Sequence, residues 1–348
     1  MPDLTLAELT ALEKGMVNVK ALGLIGNGTT DDTAALNVII DSYEGSGANS
    51  GKPFCLYFPP GVYKLTARID ISRDVSIVGS GSSATEIRWG AADADTPAGF
   101  KFTGSPININ GLTLTTMSVP TTAGVQTAIE YDLTSEISST TTKIANREQS
   151  RGLINDVVMR GFWDTDPTKN SRAWRNGIVL KNVMHFVVSK INFVGLNQTT
   201  GSGIVSNEAI RVEGTGAPVE LHFTDIWAFD CQKGINIIGN TEGLRIERGV
   251  LVNVIQGIYI NLSPQNRPQH AIVNTHINAL SNPITIVGSS SPSIINCELY
   301  YKSNATYSAS SGVGIQLSDC TGGHISNNKL AIIGSSDFNA IVLSGVTT

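Results

Sequence analysis

The stretch "GINIIGNTEGLRIERG", residues 234–249, holds two short phrases that recur through the second half of the chain. The first is a small residue, then Ile, any residue and an apolar one; it stands at 177, 209, 234, 257, 283, 314 and 340. The second is two apolar positions flanking one residue, with a polar residue closing the phrase at Asn155, Lys190, Asp225, Arg248, Asn274, Asn296 and Asn327. From the first phrase to the next polar residue takes 13 residues in three of six cases, and 14, 16 or 17 in the others. The return takes 9 residues after Asp225, Arg248 and Asn274 but between 13 and 22 elsewhere. The minimal unit is therefore about 22 residues, and its length variation gathers at one place.

Short alternating strands at this period are the mark of a solenoid. The L-x-x-L-x-L frame of leucine-rich repeats is absent, and so is the Trp-Asp signature of a propeller blade. A parallel β-helix fits, with each coil laying three short strands about 4.8 Å above the last. The expected fold is all-β: a right-handed parallel β-helix with a short N-terminal capping helix. The expected organisation is a helical segment over 1–16, then the β-helix over 17–348, with cap and first coils at 17–90 and regular coils at 150–348. In this reading Asn274, Asn296 and Asn327 stack as an amide ladder, and Asp225 pairs with Arg248 in the same column.

Composition narrows the function. The chain has 348 residues, 41% apolar and 15% charged, 35 of them Gly, with a net charge of −5. No basic run is present, which argues against nucleic acid as a partner. Four cysteines lie far apart without a C-x-x-C pair, so they read as buried free thiols, with neither metal nor cofactor implied. The opening "MPDLTLAELTALEKG" lacks a signal-peptide core, and no apolar run reaches membrane-spanning length. Residues 133–150, rich in Ser and Thr, read as an exposed loop. The final "AIVLSGVTT" begins a coil without finishing it, so either further chain or other subunits are expected to cover it.

Near the start, "GNGTTDDTAAL" (26–36) sets Asp31 and Asp32 before an apolar run. Thr30 or Asp31 is expected as N-cap, with the acids in the first turn of a helix that lids the solenoid. No calcium-loop spacing or nucleotide fingerprint follows. The order of "VNVKALGLIGNGTTDDTAAL" (17–36), "LYFPPGVYKL" (56–65) and "VSIVGSGSSATEIRW" (75–89) resembles the opening of the pectate-lyase-like superfamily of phage tailspikes and polysaccharide-active β-helix proteins. That resemblance implies a homotrimer, carried on the virion tail with other tail proteins, that binds and often cleaves a bacterial surface polysaccharide. It does not imply which residues act.

The insertions at 160–176, 194–208, 301–313 and 331–339 all follow the polar position and one strand, so they should stack along one edge as walls. The coils from Asp225, Arg248 and Asn274 lack insertions and leave a gap. Beside it, alternation puts Glu220, His222 and Thr224 outward, with Arg245 and Glu247 one coil on. Glu247, His222, Asp225 and Arg245 are the catalytic candidates. A glycosidase needs two carboxyls, about 5 Å apart for retention and roughly 6.5–9.5 Å for inversion, whereas elimination on a uronate needs a base such as His222 or Arg245. Trp163, Trp174, Asp164, Asp166, Arg248 and Glu220 are the substrate-binding candidates. The plain alternative is a solvated ion-pair ladder, with Trp227 packing against a neighbouring coil or subunit.

Overall fold

The computed structural model describes residues 16–90, 98–118, 126–137, 152–162, 172–198, 203–204, 206–215, 219–262, 267–302, 312–333 and 338–345. The chain winds as a right-handed parallel β-helix. Each rung has three strands. The first and second belong to one 18-stranded sheet and the third to a 10-stranded sheet. Consecutive rungs pair in parallel and in register: Phe186–Val194 lies on Leu221–Phe229, which lies on Arg245–Glu247 and Val250–Val254.

Alternation puts one side of every strand inward, and the inward residues stack by type. Ile154, Val188, Phe223, Ile246, Ile272 and Ile294 form one column, each fully buried. Ile178, Ile210, Ile235, Ile258, Ile284 and Ile315 form another on the third strands. A one-residue slip would turn a whole strand's apolar set to water, so these columns fix the register.

The polar positions sit at the corner between first and second strands, and their role differs from the expected one. Asp156, Lys190, Asp225, Arg248, Asn274, Asn296 and Asn327 all have φ between 50° and 56°, the left-handed region. In the first of these rungs the corner is Asp156, one residue beyond the expected Asn155, because Ile154 aligns with Val188. Asn274, Asn296 and Asn327 are exposed at these corners, and no amide ladder joins them. Asn recurs here because its short polar side chain tolerates a backbone that costs other residues roughly 1–2 kcal/mol. A polar ladder does form one position earlier, in other rungs: Asn155 Nδ2 donates to Asn110 Oδ1 at 2.6 Å, and Ser189 Oγ donates to Asn155 Oδ1 at 2.8 Å.

A helix, α1 (Thr33–Tyr43), takes the place of the third strand in the first rung, and Leu36, Ile39 and Ile40 are buried beneath it. The N-cap is Asp32, one or two residues later than expected, and its carboxylate caps nothing. It accepts instead from the amides of Ile25 and Gly26 at 2.7 and 3.0 Å and fastens the preceding turn. Asp31 performs the capping, accepting from Thr33 N at 3.0 Å, and Thr66 Oγ1 donates to it at 2.7 Å. The 1–15 stretch lies outside the described residues, as does most of 133–150. No described helix is long and apolar enough to cross a membrane. Cys231, Cys297 and Cys320 are buried free thiols, whereas Cys55 is only half-buried.

Candidate active site

The expected outward cluster forms. His222 lies in register with Arg245, and Thr224 with Glu247. Arg245 Nε and Nη2 both reach Glu247 Oε2 at 2.8 Å, Arg248 Nη1 reaches Oε1 at 3.2 Å, and His222 Nε2 stands 3.6 Å from the same oxygen. Arg248 also grips Asp225 with two bonds of 2.8 and 3.0 Å and donates to Thr224 Oγ1 at 2.7 Å. The guanidinium of Arg245 holds the Glu247 carboxyl below its ordinary range, and that of Arg248 does the same for Asp225. The same pairing raises Arg248 further. Both carboxylates therefore stay ionised at neutral pH, which suits a base or nucleophile and not a proton donor.

The other candidates divide. Trp163, Asp164 and Asp166 lie outside the described residues. Trp174 is no sugar platform: it is fully buried, its Nε1 donates to Leu114 O at 3.0 Å, and its ring packs edge-on against Trp89. Its indole fills the core just before the strand Asn176–Lys181. Glu220 stands apart from the cluster at the corner preceding its strand, with φ 55°, and its carboxylate pairs with His185 at 2.7 Å.

The insertions do share an edge, the one between second and third strands. Long connections run from Gly161 to Asn176, Val194 to Glu208 and Lys302 to Gly312, whereas the expected insertion at 331–339 is mostly strand, with Lys329–Ile333 and Phe338–Ser344 joined by a connection no longer than that from Ala279 to Ile284. The rungs at 221–239, 245–261 and 271–287 have short connections there, while most of the residues expected to wall a gap, 163–171, 199–202 and 303–311 among them, lie outside the described residues. The edge borders the outer face of the second strands, however, while His222, Arg245 and Glu247 are on the first strands. Only the corner residues Asp225 and Arg248 touch both faces. On these three rungs the outer face of the second strands is made by Trp227, Phe229, Val250, Val252, His276 and Asn278, which alternate outward.

Trp227 is 51% exposed and covered by no neighbouring coil. It lines a hollow of about 250 Å³ together with Asp156, Val158, Lys190, Ile191, Asn192 and Asp225. A second hollow of about 230 Å³, toward the N-terminal end, is lined by Ser82, Glu86, Thr113 and Arg160 among others. There Ser82 Oγ donates to Asp156 at 2.8 Å, while Arg88 and Thr115 both hold Glu86 Oε1 at 2.7 Å. Sequence alone undervalued Trp227 and Asp156. The available signal was that Trp227 stands two places after a corner residue and so faces out.

A family profile described as rhamnogalacturonase A/epimerase, pectate lyase-like, matches residues 16–247, two thirds of the 348. The chain belongs to this family. The pectate lyase-like match takes in His222, Asp225, Trp227, Arg245 and Glu247, and ends one residue before Arg248. Among solved structures, the Dettilon tailspike protein superposes with a TM-score of 0.57 at 15% identity, over 98% of this chain and 71% of that one. The A-module of the Azotobacter vinelandii mannuronan C-5 epimerase gives 0.57 at 16%, over 94% and 96%. The enzymatically active domain of bacteriophage CBA120 tailspike protein 2 gives 0.60 at 15%, over 94% and 47%. At these identities the likeness is one of fold. A non-secreted LysM effector of Penicillium expansum is 43% identical over 56 residues, which is 15% of this chain and 4% of that protein's length.

Proposed function

We propose that this pectate lyase-like chain is a tailspike-type protein that binds a bacterial surface polysaccharide, a capsule or O-antigen glycan, and cleaves it by hydrolysis. One observation carries the reading. On the outer face of the second strands an exposed aromatic lines a hollow, and ionised carboxylates border it at and just beyond the corner. Glu247 or Asp225 activates the attacking water or attacks the anomeric carbon. The leaving oxygen takes its proton from a second carboxyl, supplied by Asp164 or Asp166. Hydrolysis is favoured over elimination because Arg245 and Arg248 are already engaged by carboxylates and are not free to neutralise a uronate.

The neighbouring tailspike folds support a homotrimer on a phage tail, which sedimentation of the purified protein tests. Cleavage is tested by incubation with host capsule and O-antigen, following reducing ends and the absorbance of unsaturated uronates. Reducing ends without that absorbance are expected; no product from any glycan the protein binds refutes the enzymatic claim. One observation favours a second reading, a non-catalytic adhesin: guanidinium groups engage both Glu247 and Asp225 through both oxygens, as in a static ion-pair network. Binding without product would support it.

A further inference from the structure

We propose that the hollow at Trp227 is a saccharide subsite that seats one uncharged hexopyranose ring of the glycan. The inference rests on the polysaccharide reading above and deepens it. The hollow spans three consecutive corners, Asp156, Lys190 and Asp225, and hence two rung spacings of about 4.8 Å. Its volume of about 250 Å³ is below the roughly 300–1,000 Å³ of pockets for drug-sized ligands. That is room for a single ring with its hydroxyls.

The lining has the two-sided character a sugar ring needs. Trp227, half exposed, offers a flat apolar surface to the C–H face of a pyranose, and Val158 and Ile191 extend it. Around that surface stand groups matched to ring hydroxyls. Asp156 and Asp225 accept, and the Lys190 ammonium donates. Charge balance also sets the class, for the lining holds two carboxylates and one ammonium. Arg248, just outside the lining, pairs with Asp225 and brings the count to two of each sign, so a uronate would find no surplus cation to neutralise it, whereas neutral hydroxyls need none.

The position fits the chemistry next to it. Asp225 lines the hollow and is held by Arg248, which also holds Glu247. A ring seated on Trp227 thus lies on the second-strand face, with the glycan crossing the corner to reach Glu247 on the first. The subsite anchors the chain and positions the bond to be cut, and Trp227 is a binding residue.

The test uses the full chain on a printed array of neutral and uronate-containing bacterial capsule and O-antigen polysaccharides. Wild type, Trp227→Ala and Trp227→Phe are compared in the cold at short contact, so that little glycan is consumed. Neutral polysaccharides are expected to bind, with affinity at least tenfold weaker in Trp227→Ala and largely kept in Trp227→Phe. All three should melt alike, since the indole is half in solvent. Binding to a glycan that Trp227→Ala leaves unchanged overturns the subsite while the polysaccharide reading stands. Trp227-dependent binding of uronate glycans alone overturns the charge class. Failure of the wild-type chain to bind any array glycan overturns both proposals together.

Discussion

His270 should make the β-helix acid-sensitive well above the range of ordinary carboxylates. Its side chain sits at the corner leading into the strand Ala271–Val273 and is 1% exposed. Nε2 lies 3.1 Å from Thr241 O, which can only accept, so Nε2 carries the proton and Nδ1 accepts from Ser289 Oγ at 2.8 Å. Arg267, three residues earlier, pairs with Glu242. Burial pushes the histidine down to about 4, from about 6.5 in the unfolded chain. Between those values the unfolded chain binds a proton that the folded chain refuses, so stability rises with pH across the window. The contribution is full above about pH 6.5 and lost as pH falls toward about 4, below which both states are protonated. A shift of about 2.5 units at 1.36 kcal/mol each gives a loss of about 3 kcal/mol. Urea unfolding of wild type and His270→Gln from about pH 8 to about pH 4 measures it. Gln keeps a donor for Thr241 and does not titrate, so the wild-type curve should fall toward the variant's through the window. A difference between the two that stays constant with pH would refute the reasoning.

Three further outcomes are expected. Trp174→Ala should cost about 3–5 kcal/mol in urea unfolding, because loss of its fully buried indole leaves a cavity and removes its bond to the Leu114 carbonyl; an unchanged midpoint would contradict its place in the core. Arg248→Ala removes the cation that holds Asp225 and helps hold Glu247 below the ordinary range, so the acidic limb of the cleavage pH profile should move upward in pH, and a limb that stays put would disconnect these carboxylates from the reaction. At the corner with φ 54°, Asn296→Val should destabilise by roughly 1–2 kcal/mol while Asn296→Gly stays near neutral, as read from denaturant midpoints.

Much of this architecture is legible from periodicity. Spacing alone aligned His222 with Arg245 and Thr224 with Glu247, because in-register stacking makes sequence offset and spatial neighbourhood equivalent. The same spacing located the insertions on one edge. It misassigned the corner residues, since a recurring Asn satisfies either an amide ladder or a left-handed backbone, and only φ separates the two. It also placed the candidate cluster beside the edge where the long connections begin, from which it lies one strand away. A linear pattern records which coil carries an insertion, but not that a bend at Asp225 and Arg248 turns the first and second strands to different faces. Trp174 and Trp227 exchanged roles for a related reason. Trp174 stands just before the strand Asn176–Lys181, at a joint where alternation has no phase, and there the core claims the larger apolar surface.

The shared edge of the long connections has a consequence for how such a fold varies. The isoleucine columns fix the winding, and each rung needs only its neighbours, so a connection can lengthen, shorten or be exchanged without shifting any strand out of register. The entropy of closing a longer loop grows only slowly, by about 0.6 kcal/mol for each doubling. The connections can therefore vary almost independently of stability, while the helix beneath them stays the same.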